Sequence, residues 1–201
     1  MRILLLFLAL LIIAPAAAQS KRKLLREIEA FHASENERFR NPETSPLKYD
    51  KIASFKELEV YPINLKFCVK ATLVRTPNEE PFFLRTSTER LAEYVKYGEA
   101  HFEIDGKQLM LNLYRDPKGN ESADDILFVP FTDLTSGDGS YGGGRYLEFP
   151  IPKKEKFYLD FNKAFNPYCV YSDRYSCPIP PRENDLYVRI EAGVKDYDKT
   201  K

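Results

Sequence analysis

The sequence predicts a mainly β protein, an antiparallel β-sandwich or open barrel with one N-terminal α-helix. Three observations predict it. From about residue 55 onward, apolar residues recur every second position, the period of a strand with one buried face. The strand-like runs are short and separated by Gly, Pro and Asp turns. A helical period appears in one place only, residues 20–40. No internal repeat and no dividing linker is present, so residues 19–201 read as one domain. The 30 Lys and Arg balance 30 Asp and Glu, which excludes a nucleic-acid binder that works by bulk charge. The 13 Tyr and 14 Phe exclude a disordered chain.

The elements follow in order. Arg2, the unbroken apolar run Ile3 to Ile13 and the A-x-A pattern in Pro15-Ala16-Ala17-Ala18 predict a secretory signal peptide over 1–18, cleaved before Gln19. The run falls well short of the ~20 apolar residues that span a bilayer. The expected location is therefore periplasmic or extracellular, with no membrane span after cleavage. Leu24, Ile28, Phe31 and Phe39 form the helix stripe, and Asn41-Pro42 ends it. Leu65, Phe67, Val69, Ala71 and Leu73 mark a half-buried strand, and Pro81 to Thr86 a second. Ala100, Phe102 and Ile104 face Leu109, Leu111 and Leu113 across Asp105-Gly106, the pair a type I′ hairpin turn favours. Ile126 to Phe131 is almost wholly apolar and reads as buried on both faces. Gly137 to Gly144 reads as a flexible loop. Tyr146 to Phe149, Phe157 to Phe161 and Leu186 to Ala192 complete the strands.

Several residue sets could carry chemistry. In an exporting context Cys169 and Cys177 are expected to form a disulfide, with Cys68 a buried thiol. The two His and three Cys lack the short fixed spacing of a zinc site, so neither metal nor cofactor is expected. His101 between Glu99 and Glu103 reads as solvated strand surface. Gly142-Gly143-Gly144-Arg145 lacks the Lys-Ser/Thr of a phosphate loop. It reads as a mobile hairpin loop, or as an amide nest beside a ligand. The densest polar set runs from Asp160 to Asn184, stiffened by Pro167, Pro178, Pro180 and Pro181.

Four stretches carry a family resemblance: Phe128-Val129-Pro130-Phe131-Thr132-Asp133-Leu134-Thr135-Ser136-Gly137, Tyr141-Gly142-Gly143-Gly144-Arg145-Tyr146-Leu147, Leu159 to Cys169 and Tyr175 to Asn184. In that order they resemble the bacterial and archaeal family catalogued as domain of unknown function 1684. The resemblance brings no activity. It implies that Thr135, Gly137, Tyr141, Gly144, Arg145, Asp160, Asn162, Asn166, Cys169, Cys177, Glu183 and Asn184 match the family pattern.

The expected ligand-binding set is Tyr141, Arg145, Asp160, Asn162, Asn166, Glu183 and Asn184. Arg145 would pair with Asp160 or hold an anion by its planar fork, and Arg145→Ala would abolish binding with little change in melting temperature. Three functions compete. The first is an exported module binding a small polar or anionic ligand or envelope component. The second is a hydrolase-like enzyme using Glu183 or Asp160 as acid or base. The third is a structural or partner-binding protein whose polar motif only holds a loop. Convergence of these side chains on one concave pocket separates them.

Overall fold

The structure is a computed structural model. It describes residues 3–119 and 125–197, with 3–18 described as backbone only. The expected signal peptide thus lies outside the residues whose side chains are described. Among the described residues, no helix is long and apolar enough to cross a membrane.

The elements are α1 (Ile3–Arg40), α2 (Tyr49–Ile52), β1 (Cys68–Arg75), β2 (Phe82–Arg85), β3 (Leu91–Ile104), β4 (Lys107–Arg115), β5 (Ile126–Asp133), β6 (Arg145–Pro150), β7 (Lys156–Asp160) and β8 (Asp185–Leu186). The strands form one curled antiparallel half-barrel in the order β6-β5-β4-β3-β1-β7. β2 adds to β3, and β8 runs parallel to β5. At the open seam, Phe149 of β6 meets Phe157 of β7 with ring centroids 5.6 Å apart. Side chains rather than a ladder join the two end strands there.

The period-two residues fill the hollow. Val69, Ala71, Leu73, Phe102, Leu111, Leu113, Val129, Leu147 and Leu159 form one core with Phe131 and Phe161. Each large side chain buried here contributes about 1.5–3 kcal/mol by leaving water. The β3–β4 turn has φ of 52° at Asp105 and 75° at Gly106, as a type I′ turn requires. β5 is covered on both sides. Leu127, Val129 and Phe131 enter the main core, while Phe128 packs with Tyr146 and Cys177 on the other face.

Three expectations are corrected. Leu186 to Ala192 is not a strand beyond Leu186. Its alternation is real, because Leu186, Val188, Ile190 and Ala192 are all buried. Its backbone, however, bonds mainly to side chains, with the Val188 carbonyl accepting the Leu134 amide at 3.0 Å, instead of pairing with a neighbouring strand. The glycine loop is not an open hairpin. Asp138 and Ser140 amides donate to Thr135 O, and the Gly137 amide donates to Ser140 O, folding the turn onto itself. The Cys169–Cys177 disulfide is not formed: both are thiols, although the Cys169 amide donates to Cys177 Sγ at 3.1 Å. Sequence proximity brought the two together, and no S–S bond closes the contact.

Candidate functional site

The predicted polar residues separate into distinct structural clasps. The first is centred on Arg145, the opening residue of β6. Its side chain is fully buried. Nη2 donates to Asp133 Oδ1 at 3.1 Å and Ile190 O at 2.9 Å, and Nη1 donates to Ala192 O. Asp133 Oδ2 accepts the Ile190 amide at 2.7 Å. The Thr135 hydroxyl donates to the same carboxylate and contacts Ser140 Oγ at 2.8 Å. Together the buried ion pair supplies the hydrogen bonds that a neighbouring strand would otherwise give to residues 190–192. The Arg145 partner is therefore Asp133, not Asp160, and the guanidinium faces protein backbone rather than a ligand. Burial pulls its pKa downward while Asp133 pushes it up.

Backbone geometry locks this clasp. Gly144 has φ of 87°, and a Cβ there would stand 2.5 Å from Phe131 O. Only glycine lets the chain turn so close to β5 before Arg145 enters the core.

The second clasp uses Asn184. β4 and β5 pair only at Tyr114 and Phe128. Beyond that point Pro130 offers no N–H, and the strands part. Asn184 fills the gap: its Oδ1 accepts the Asn112 amide at 2.8 Å, and its Nδ2 donates to Asn112 O at 3.0 Å and Pro130 O at 2.8 Å. The side-chain amide stands in for a peptide of the missing ladder. β8 then runs beside β5 in its place.

The third clasp uses Asn162 in the same way. Oδ1 accepts the Asn64 amide at 2.9 Å, and Nδ2 donates to Asn64 O at 3.1 Å and Asp160 Oδ1 at 2.8 Å. His32 of α1 contacts Asn162 O at 2.7 Å, which ties the helix to this corner. Asp160 accepts the Asn162 amide and so caps the short turn that follows β7. Glu183 is exposed. Tyr141 is half-buried against the cluster of Phe39, Leu47, Val170 and Tyr171. His101 bonds to Glu99 at 2.8 Å on the exposed strand face.

Of the predicted set, Asn166 lines a concave site. A cavity of about 510 Å³ lies between α2, the segment after it and the C-terminal stretch. Leu47, Phe55, Leu58, Tyr171 and Val194 supply apolar wall. Phe39 stacks behind it at 5.3 Å from Phe55 and 4.8 Å from Tyr171. Burial pushes the Tyr171 hydroxyl far above its ordinary pKa and keeps it neutral. Lys51, Lys56 and Lys195 alternate with Glu57, Glu59 and Asp196 around the wall, so the charges balance. Asn166 is almost wholly buried. Its Nδ2 donates to Lys195 O at 2.9 Å and Tyr171 Oη at 3.3 Å, while its Oδ1 accepts no hydrogen bond from the described residues.

Sequence reasoning missed Asp133 and most of this cavity. Asp133 stood in a quoted motif beside Thr135, an acid among strand residues with no solvent-facing period to explain it. The cavity residues lie in three stretches without shared spacing, and nothing local marks them.

The family model described as "Protein of unknown function (DUF1684)" matches residues 53–195. The solution NMR structure of an uncharacterized protein from Haloarcula marismortui is similar to this chain, with a TM-score of 0.70 and 31% identity. The match covers 88% of this chain and 96% of that one. No curated protein matches the chain.

Proposed function

The chain belongs to the DUF1684 family of proteins of unknown function, and within that family we propose that it is an exported ligand-binding module. Its binding site is the cavity of about 510 Å³, and its ligand is a small amphipathic molecule. The preformed cavity is the observation that carries this reading. A mostly apolar pocket of a few hundred Å³ with a few polar groups is the usual form of a small-molecule site. The balanced charges on its wall select no net anion. The buried Arg145, with both Nη atoms bonded to Asp133 and to backbone carbonyls, offers none of the exposed guanidinium that an anion site at that residue would need.

The test is titration of the full chain with N-phenyl-1-naphthylamine, a neutral apolar fluorophore. One saturable site is expected, weakened at least tenfold in Phe55→Lys, which places a charge in the wall. Absence of saturable binding sinks the proposal.

Export rests on the leader pattern. Mass spectrometry of protein recovered outside the cytoplasm should show Gln19 at the N-terminus, and a retained Met1 defeats export. In that compartment the contacting Cys169 and Cys177 thiols are expected to exchange with a small-molecule disulfide. They would lose two hydrogens and form one S–S bond, while the small disulfide is reduced to two thiols. Non-reducing peptide mapping decides: two alkylated thiols in unreduced exported protein defeat this bridge.

A further inference from the structure

Three buried asparagines from the motif stretches bond to backbone, and one of them is left incomplete. Asn162 and Asn184 each use both ends of the side-chain amide on the protein. Oδ1 accepts a backbone amide, and Nδ2 donates twice. Asn166 is buried as deeply, with 1% of its surface exposed. Its neighbours fix which end of its amide lies where. Lys195 O is a carbonyl and can only accept, so the atom 2.9 Å from it is Nδ2. The second Nδ2 hydrogen goes to Tyr171 Oη at 3.3 Å. Both donors are thus taken, and Oδ1 has no donor among the described residues. Tyr171 shows the converse. Its Oη accepts from Asn166, and burial keeps the phenol protonated. No acceptor among the described residues receives that proton.

A buried amide oxygen without a donor is uncommon, because it gives up water's hydrogen bonds and gains none in return. Asn166 and Tyr171 both line the cavity of about 510 Å³. An unused acceptor and an unused donor, linked by one hydrogen bond, therefore belong to the wall of the proposed binding site. We propose that the ligand carries an uncharged carboxamide group, as in a primary amide, lactam or urea, whose N–H donates to Asn166 Oδ1 and whose carbonyl accepts the Tyr171 proton. This rests on the cavity reading above and names the polar group its ligand bears. A carboxamide holds a donor and an acceptor on one planar unit, the complement of that pair. A carboxylate offers acceptors only and would set a charge against Oδ1. A ketone or ether leaves Oδ1 unfilled. The apolar wall of Leu47, Phe55, Leu58 and Val194 takes the rest of the molecule.

The experiment is displacement of N-phenyl-1-naphthylamine from the full chain at pH 7 by 2-naphthamide, 2-acetonaphthone and 2-naphthoate. Amide and ketone have nearly the same shape, with a methyl group in place of NH2. The amide should displace the fluorophore at a concentration at least tenfold below that of the ketone or of naphthoate, as a site built around a ligand N–H requires. A pocket that senses only apolar area gives the opposite order of amide and ketone, because methyl loses less than NH2 on leaving water. Asn166→Leu should erase the amide's advantage. Tyr171→Phe should weaken amide and ketone alike, since both present a carbonyl, and keep their ratio. A ketone that matches the amide in the wild type, or an amide advantage that survives in Asn166→Leu, overturns the assignment and leaves the cavity standing. If Asn166→Leu does not fold, the wild-type order and Tyr171→Phe decide, and a Tyr171→Phe variant in which neither ligand weakens overturns the pairing. If the fluorophore itself shows no saturable binding, the cavity reading falls and this one with it.

Discussion

Arg145 shows how a residue with the chemistry of a ligand clamp becomes part of the framework. Its guanidinium is dry and bonded to Asp133 and to backbone carbonyls. Removing it leaves a buried carboxylate unpaired, a change that costs about 3–5 kcal/mol. Arg145→Ala should therefore lower the melting temperature by roughly 6–20 °C in a chain of this size. This reverses the expectation drawn from sequence, and differential scanning calorimetry checks it. Cys68 supplies a contrasting case. Burial, with Asp160 adding to it, pushes its thiol up to about 12 from an ordinary 9.0. At pH 8 its thiolate fraction is then roughly a thousandfold below that of an ordinary thiol. Iodoacetamide should label it correspondingly slowly in the folded protein and readily in urea.

At the level of elements, the legible parts are those in which one face is buried and the phase is unbroken. β1, the Asp105-Gly106 hairpin and β5 announce themselves by alternation or by an apolar run. The first half of β3 does not. Its register slips between Lys96 and Gly98, so Val95 and Tyr97 are buried in one phase and Ala100 and Phe102 in the other. A bulge breaks a period-two reading because side chains beyond it change face. The stretch after Leu186 fails in the opposite way. It keeps a strand's pattern while side chains take the place of its ladder. The motif asparagines were visible as polar and specific, but their role was not. Whether an amide meets a ligand or a peptide depends on chain segments far away in sequence. Asn184→Ala should remove three hydrogen bonds to buried backbone and cost about 2–3 kcal/mol. Hydrogen exchange of the Asn112 amide should accelerate with it. An unchanged Asn112 amide would show that another group takes over the seam.

For the whole molecule, several buried hydroxyls and a thiol are held neutral. Burial raises Tyr94 and Tyr114 to about 12, and Cys68 likewise. The native state therefore binds more protons than the unfolded chain between their ordinary values and 12. The stability these groups confer is whole below about pH 9 and is lost as pH climbs toward 12. Urea midpoints should be flat from these groups below pH 9 and fall steadily above it. A rise in midpoint over that interval would contradict the burial of all three. The Arg145 clasp bears on how the protein is built in time. Ile190 and Ala192 are the acceptors that make it tolerable to enclose an ion pair next to β5. A growing polypeptide halted before Ile190 holds both ions but lacks those acceptors. The half-barrel cannot then be finished stage by stage from its beginning, and enclosure of the ion pair waits for Ile190 and Ala192.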